Sequence, residues 1–312
     1  MIRKHSKIAV VGAGLVGATI SYALAMKNLV SELVIIDINH DKAEGEAMDI
    51  REGLSVLGEM DVHCGEYSDV ADSDIIIICA GVGRKPGETR IDLAKKNIGI
   101  LEDVTRSIMK YYNGGVIMVV SNPVDILTYV VQKVSGLPDG LVFGTGAALD
   151  SARFRYLLSE KAEVDVKNVH GFIAGEHGDT QFPVWSSVHI CGMEFDLYCK
   201  EHGLHVDKGE IETSVRNSGA EVIKRKGATY YAIASVVVSL CQAVVKNQKT
   251  LYHTTRMIHG FYGIDGVCLS LPNIIGIGGA ERVIKFNFTE EEQEKLQKSA
   301  QHLQSVLKEL NI

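Results

Sequence analysis

Gly12-Ala-Gly14-Leu-Val-Gly17 decides the fold. It follows the aliphatic run Ile8–Val11 and opens an apolar, helix-length segment, Leu15–Leu29. Glycines at such a junction permit a tight strand-to-helix turn and let backbone N–H groups approach a pyrophosphate at the positive end of the helix. A lone G-x-G-x-x-G also fits an ordinary glycine-rich turn. Here the strand precedes it, the helix follows it, and Asp37 ends the next aliphatic run, Leu33–Ile36, 20 residues after Gly17. A carboxylate there accepts from a ribose 2′-OH and repels a 2′-phosphate, which predicts NAD rather than NADP. Leu15 and Val16 join Gly12, Gly14, Gly17 and Asp37 as candidate cofactor contacts.

The same texture continues outward. Ile75–Cys79 and Val116–Val120 are near-continuous aliphatic runs, with Met60–Cys64 and Val142–Gly144 weaker examples. Runs without polar alternation are the mark of strands buried on both faces, as in a parallel sheet. Helix-length segments Asp41–Gly53, Ile91–Tyr112 and Val124–Ser135 lie between them. Alternating strand and helix predict an α/β, Rossmann-type doubly wound parallel sheet over residues 1–146. Val120 ends one of these strands, and Ala80, Gly81 and Asn122 fall just beyond two of them, at the edge where such sheets bind ligands.

After residue 146 the pattern changes, and residues 147–312 read as an α+β catalytic domain. Asp150–Glu160 predicts a helix, His170–Asp179 a glycine-punctuated stretch, and Pro183–Leu197 strands. Ile211–Asn247 reads as a long helical region interrupted at Gly227. The last helix is announced by a capping box, Thr289 with Glu292, and carries Leu296, Ala300, Leu303, Leu307 and Leu310 at helical spacing.

Length and composition agree with two soluble domains. The chain has 312 residues, 46% hydrophobic and 23% charged, too apolar for a disordered protein. Its formal net charge of −7 disfavours a nucleic-acid partner. The uncharged stretch Ile8–Met26 resembles an export or membrane segment in length, but Gly12, Gly14 and Gly17 break it, so no membrane association is expected. None of the six cysteines forms a C-x-x-C pair, which suits a reducing cytoplasm.

Further along, Ala80-Gly-Val-Gly-Arg84-Lys-Pro-Gly-Glu-Thr-Arg90 follows the fourth strand, rich in glycine and carrying two arginines, as a mobile lid would. Ser121-Asn-Pro-Val-Asp125, Leu149-Asp-Ser-Ala-Arg-Phe-Arg155 and Gly175-Glu-His-Gly-Asp179 complete a collinear set. By these motifs, in this order and spacing, essentially the whole chain resembles the L-lactate and malate dehydrogenases, NAD-dependent 2-hydroxy acid dehydrogenases. Its frame looks most like a bacterial L-lactate dehydrogenase.

The resemblance implies roles residue by residue. Reduction of a 2-keto acid needs a proton donor, a cation to polarise the carbonyl and an anchor for the carboxylate. His177 matches the family's acid–base residue and Asp150 the carboxylate that orients it. Arg153 matches the carboxylate anchor, a planar guanidinium suited to a bidentate fork. Arg90 matches the carbonyl-polarising residue of the lid, and Asn122 the amide bonding substrate and cofactor.

Substrate signals conflict. Arg84 stands where lactate dehydrogenases carry Gln and malate dehydrogenases carry Arg, whereas Thr229 and Glu176 are of the lactate type. An arginine enclosed with pyruvate would be left unpaired, so Arg84 predicts oxaloacetate and L-malate, with pyruvate and L-lactate as the alternative. Arg155 and His170 match the pair that binds fructose 1,6-bisphosphate between subunits in allosteric bacterial lactate dehydrogenases. The family forms dimers and tetramers, so a homo-oligomer, with a homotetramer among the options, is implied.

Two rival readings are weaker. Cys199, His202 and His205, with Asp196 nearby, have ligand-like spacing but no complementary pair, so no metal is predicted. NAD-dependent glycosidases need a metal-binding Cys and His beside the cofactor, and a non-enzymatic NAD-sensing module would not need His177, Asp150, Arg153 and Arg90 together.

Overall fold

The computed structural model describes residues 6–83 and 90–312. Six strands run parallel: β1 (Lys7–Val11), β2 (Glu32–Ile36), β3 (Asp61–Cys64), β4 (Ile75–Ile78), β5 (Val116–Val119) and β6 (Val142–Gly144). Their spatial order is β3-β2-β1-β4-β5-β6. The aliphatic runs form central strands because both faces are covered. Ile76 and Ile78 join one core cluster with Leu101 of α3 (Arg90–Met109) and Leu127 of α4 (Val124–Ser135). Ile75 and Ile77 join the other with Ile20 of α1 (Leu15–Lys27) and Ala47 of α2 (His40–Leu57). The strand order reverses between β1 and β4, which leaves a crevice at the carboxyl ends of the strands.

The sheet does not stop at β6. β12 (Thr250–Phe261) joins it antiparallel, with Thr255 opposite Gly144, and β13 (Ile264–Gly276) and β14 (Gly279–Val283) extend it to nine strands. A Cβ on Gly144 would stand 2.3 Å from the Thr128 hydroxyl, so glycine is what allows the junction. Nothing in the sequence analysis anticipates this hairpin. His253, Thr254, Thr255 and Arg256 occupy the middle of β12 yet are all buried, and these polar residues interrupt the apolar pattern that marks the other strands.

The second half otherwise comprises α5 (Ala148–Ala162), short strands and helices around a third core cluster, and a long C-terminal helix. The short strands are β7 (Val169–His170), β8 (Ile173–Ala174), β9 (Phe182–Pro183), β10 (His189–Ile190) and β11 (Met193–Glu194). The strands expected over Pro183–Leu197 are thus short and shared with a turn at Trp185–Ser187 and the start of α6 (Phe195–Glu201). Gly227, at φ 85°, separates α7 (Lys208–Lys226) from α8 (Tyr231–Val245). The apolar α8 buries Val237, Leu240 and Val244 in the second core cluster and packs on α1 and β13, so the second half also covers the first. In α9 (Glu290–Leu310) the Thr289 hydroxyl accepts from the Glu292 N–H, while the Glu292 carboxylate accepts from the Thr289 N–H at 3.0 Å and from both Ser186 N–H and Oγ. Among the described residues no helix is long and apolar enough to cross a membrane.

Candidate active site

The glycine turn is shaped for close backbone approach. Gly12 adopts φ 108°, and a Cβ there would lie 2.7 Å from the Ala80 nitrogen. A Cβ on Gly17 would sit 1.8 Å from the Gly12 carbonyl, so α1 can pack on the turn only without a side chain. Gly14 faces open space and caps α1 with no side-chain bond, leaving the first-turn N–H groups, including those of Leu15 and Val16, pointing at the crevice.

Asp37 does more than end β2. Its Oδ2 accepts from the Ala13 N–H at 2.6 Å and its Oδ1 from the Asn39 N–H at 2.9 Å, so the carboxylate also braces the turn. Ser121 Oγ donates to the Ala80 carbonyl at 2.6 Å, joining the ends of β5 and β4. The buried Asn97 of α3 accepts from the Val82 N–H and donates to the Asn122 carbonyl at 2.8 Å. Leu15, Ile38 and Val82 stand exposed nearby. An open glycine, a helix N-terminus, a carboxylate and exposed apolar side chains suit a dinucleotide with a planar base. These residues fit NAD.

In the second half, Asp150 occupies the first turn of α5 and is almost wholly buried. Its Oδ2 contacts His177 Nδ1 at 2.6 Å, and its Oδ1 accepts from Arg153 Nη1, one helical turn on, at 3.1 Å. One carboxylate therefore bridges the imidazole and the guanidinium. His177 keeps 27% of its side chain open. With Nδ1 held by Asp150, Nε2 is the nitrogen free to exchange a proton. Gly219 of α7 lies against Arg153: a Cβ there would be 3.9 Å from both terminal nitrogens.

The loop bearing His177 is pinned from three sides. Gly175 exchanges backbone bonds with Ser270 of β13 at 3.1 Å. The Glu176 N–H donates to Ser299 Oγ of α9 at 2.7 Å, and the His177 N–H to Asp125 Oδ2 of α4 at 2.7 Å. Asp125 is buried.

Charges in this cluster shift one another. Burial opposes the imidazolium of His177, but the Asp150 charge, its hydrogen bond and the Asp125 charge outweigh it and raise the pKa to about 9. Burial likewise works against ionised Asp150, yet His177 and then Arg153 hold its pKa below the usual value. At Asp125 burial wins: despite the Thr255 hydroxyl and the His177 N–H, its pKa rises to about 6.

His177, Asp150 and Arg153 are thus brought together, and the candidate cofactor residues Gly12, Gly14, Leu15, Val16, Gly17, Asp37, Ala80, Gly81, Val120 and Asn122 all lie at or just beyond the carboxyl ends of parallel strands. Thr229 is half-buried in the connection between α7 and α8. Arg84 and the side chain of Arg90 lie outside the described residues. Arg155 and His170 line one cavity of about 510 Å³ with Lys167, Tyr252 and His253. Cys199 and His202 fall in or beside α6, where His202 packs on Tyr198, and among the described residues no group of three or more His, Cys, Asp or Glu is placed to hold a metal.

Sequence reasoning missed Asp125, Asn97 and Ser299. Each had a signal. Asp125 is a carboxylate among Val124, Ile126 and Leu127, and Ser299 is a small polar residue inside the apolar stripe Leu296, Ala300, Leu303. A polar side chain on a buried face has a partner to satisfy.

Comparison with known proteins agrees with this geometry. Residues 6–144 match the family model for the lactate/malate dehydrogenase NAD binding domain, and residues 147–311 that for the alpha/beta C-terminal domain. L-lactate dehydrogenase of Acetivibrio thermocellus is 46% identical over 309 residues, 98% of either chain. That of Thermoanaerobacterium saccharolyticum is 43% identical over 310 residues, 98% of this chain and all of its own. Among solved structures, an L-lactate dehydrogenase from Clostridium thermocellum superposes with a TM-score of 0.88 at 50% identity, covering 97% of this chain and 99% of its own. The minor L-lactate dehydrogenase of Enterococcus mundtii gives 0.94 at 36% identity, covering 97% and 98%.

The chain belongs to the lactate/malate dehydrogenase family. It is an NAD-dependent 2-hydroxy acid dehydrogenase, an oxidoreductase acting on a CH–OH group. The oxaloacetate expectation drawn from Arg84 finds no support in these relatives, which carry the lactate name. Identity spread along the whole chain outweighs one residue.

Proposed function

We propose that this protein is an L-lactate dehydrogenase, interconverting pyruvate and L-lactate with NADH and NAD. The chemistry rests on one observation: the buried Asp150 carboxylate holds His177 at 2.6 Å and Arg153 at 3.1 Å. The choice of pyruvate rests on the named relatives. NADH supplies the hydride when bound. His177, charged up to about pH 9, gives its Nε2 proton to the oxygen of the developing alkoxide and takes it back in lactate oxidation. Asp150 holds the imidazole by Nδ1 and stabilises its charged form. Arg153, tied to Asp150 by one nitrogen, has the rest of its fork for the substrate carboxylate. The family resemblance assigns carbonyl polarisation to Arg90, a bond to substrate and cofactor to Asn122, and a wall of the pocket to Thr229. In this reading residues 1–146 bind the cofactor and residues 147–312 carry the acid–base pair and the carboxylate anchor.

Regulation and assembly follow the same reading. Arg155 and Lys167 bring positive charge, and His170 an imidazole, to one cavity, which supports fructose 1,6-bisphosphate as an effector. Tyr22 and Met26 of α1 and Met48 of the adjoining α2 are each about half exposed, which supports a homo-oligomer, dimer or tetramer. Six free cysteines support a cytoplasmic setting.

NADH oxidation measured with pyruvate and with oxaloacetate tests the proposal. Pyruvate should give the higher kcat/KM. The reverse order would return the protein to the malate side of its family.

A further inference from the structure

The C-terminal helix α9 takes no part in the chemistry described so far, yet it reaches the loop of the acid–base residue. Ser299 Oγ accepts from the Glu176 N–H at 2.7 Å and lies 2.9 Å from Thr180 Oγ1, which donates to Glu176 Oε2 at 2.5 Å. Ser299 is fully buried, so water cannot replace it. The fit is tight: Gly175 adopts φ 96°, and a Cβ there would stand 2.8 Å from Ser299 Oγ. One residue on, the His177 backbone hangs from Asp125, and its ring meets Asp150 at 2.6 Å. His302, a turn further along α9, lies 3.7 Å from Glu176 Oε1. The residues flanking Ser299 on its stripe, Leu296, Ala300 and Leu303, are apolar core. A hydroxyl at this one position therefore has the loop to hold.

We propose that Ser299 is a positioning residue for proton transfer: through the Glu176 N–H and Thr180 it fixes the loop so that the His177 ring stays against Asp150. The inference rests on the reading of His177 as the acid–base group. It is not itself a catalytic assignment, because Ser299 touches neither the imidazole nor the substrate site.

A residue that merely stabilises the fold would cost melting temperature and active fraction. A positioning residue must also change His177. The groups facing that ring or its loop are Asp150 and Arg153 from α5, Asp125 from α4, Glu176 in the loop itself, and His302 of α9 against Glu176. None is altered by Ser299→Ala. What changes is the tether, and with a looser Asp150 contact the imidazolium loses its main support.

The test compares wild type, Ser299→Ala, Thr180→Val, Thr180→Ser and Leu303→Ala in pyruvate reduction across pH, with melting temperatures for each. Leu303 is buried on the same helix one turn on, so its truncation reports the structural cost alone. Ser299→Ala should lower kcat about tenfold or more, the effect of about 1.4 kcal/mol added to the activation barrier. KM for NADH should hold. The limb at which reduction is lost should move down from about pH 9 toward the ordinary histidine value of 6.5. Thr180→Val should repeat both effects and Thr180→Ser, which keeps the hydroxyl in less volume, should restore them. Leu303→Ala should melt earlier with an unmoved limb. A Ser299→Ala enzyme whose loss matches its fall in melting temperature, with the limb in place, overturns the inference. His177→Ala in the same series keeps the readings apart: retained turnover there would remove the acid–base assignment instead.

Discussion

The His177 N–H donates to the Asp125 carboxylate across 2.7 Å, so a loop of the second half hangs from helix α4 of the first. The proposed acid–base residue is thereby fixed relative to the Rossmann sheet on which α4 packs, and not only relative to α5. Replacing Asp125 by Ala strands a buried N–H, at a cost of about 1–3 kcal/mol. Turnover should fall by about 10-fold or more, while Asp125→Asn, which keeps an acceptor, should retain most of it. The Asn variant also has a stability signature. Burial raises the Asp125 pKa to about 6 in the fold, so its favourable contribution is present below the ordinary value of 3.8 and lost as pH rises through 6. Asp125→Asn should therefore gain more in melting temperature, relative to wild type, at pH 8 than at pH 4.

His177 titrates in the same sense, but at a higher pH. Its pKa is raised to about 9, so the charged form, the proposed proton donor, persists through neutrality. Pyruvate reduction should hold below about pH 9 and decline above it, and lactate oxidation should rise through the same interval. Its contribution to stability is complete below 6.5 and lost as pH rises through 9. Asp150→Asn removes the main support of the charge, so both limbs should move to lower pH. Turnover should fall about 10²–10⁴-fold, the range of general acid–base catalysis. An unmoved limb would mean that another group donates the proton.

Asp37 carries two duties, and its replacement should reveal both. NADH should be strongly preferred over NADPH in the wild type, because a 2′-phosphate beside this carboxylate is unpaired and repelled. Asp37→Ser should narrow that preference. It should also weaken NADH itself, because the 2.6 Å bond that braces the Ala13 N–H is lost. Fluorescence titration with each nucleotide separates the effects: loss of NADH affinity without gain for NADPH would leave Asp37 as a brace alone.

What could be read in the sequence followed from how evenly a segment's environment matched its chemistry. Ile75–Ile78 sits between two apolar layers, so its pattern was unambiguous. β12 buries His253 through Arg256 beside β6 and the cavity lined by Arg155 and His170, and a run of buried polar residues has no periodicity to find. Asp150 and His177 lie 27 residues apart and meet only because α5 and the Gly175–Asp179 loop fold against each other. Their pairing was therefore visible through family motifs and not through spacing. Asp125 was in plain view within Ser121-Asn-Pro-Val-Asp125, but its partner is a backbone N–H, which no side-chain pattern announces.

The substrate decides between the two signals that the sequence sets against each other. If Arg84 lined the pocket over pyruvate, a guanidinium would be desolvated with no carboxylate to meet it, and unpaired buried groups can discriminate by roughly 10⁴ or more. An enzyme working on pyruvate therefore has to leave that guanidinium in contact with solvent. Two results should follow. Wild type should reduce pyruvate with a higher kcat/KM than oxaloacetate. Arg84→Gln should change pyruvate kcat/KM by no more than a few-fold, because a solvated surface charge contributes about 1 kcal/mol or less. Thr229→Ala, which enlarges the other wall assigned to the pocket, should then cost pyruvate about 10-fold or more, within the 1–3 kcal/mol range of one small contact. A wild type that prefers oxaloacetate, and an Arg84→Gln variant that reverses the order, would instead seat Arg84 against a second carboxylate.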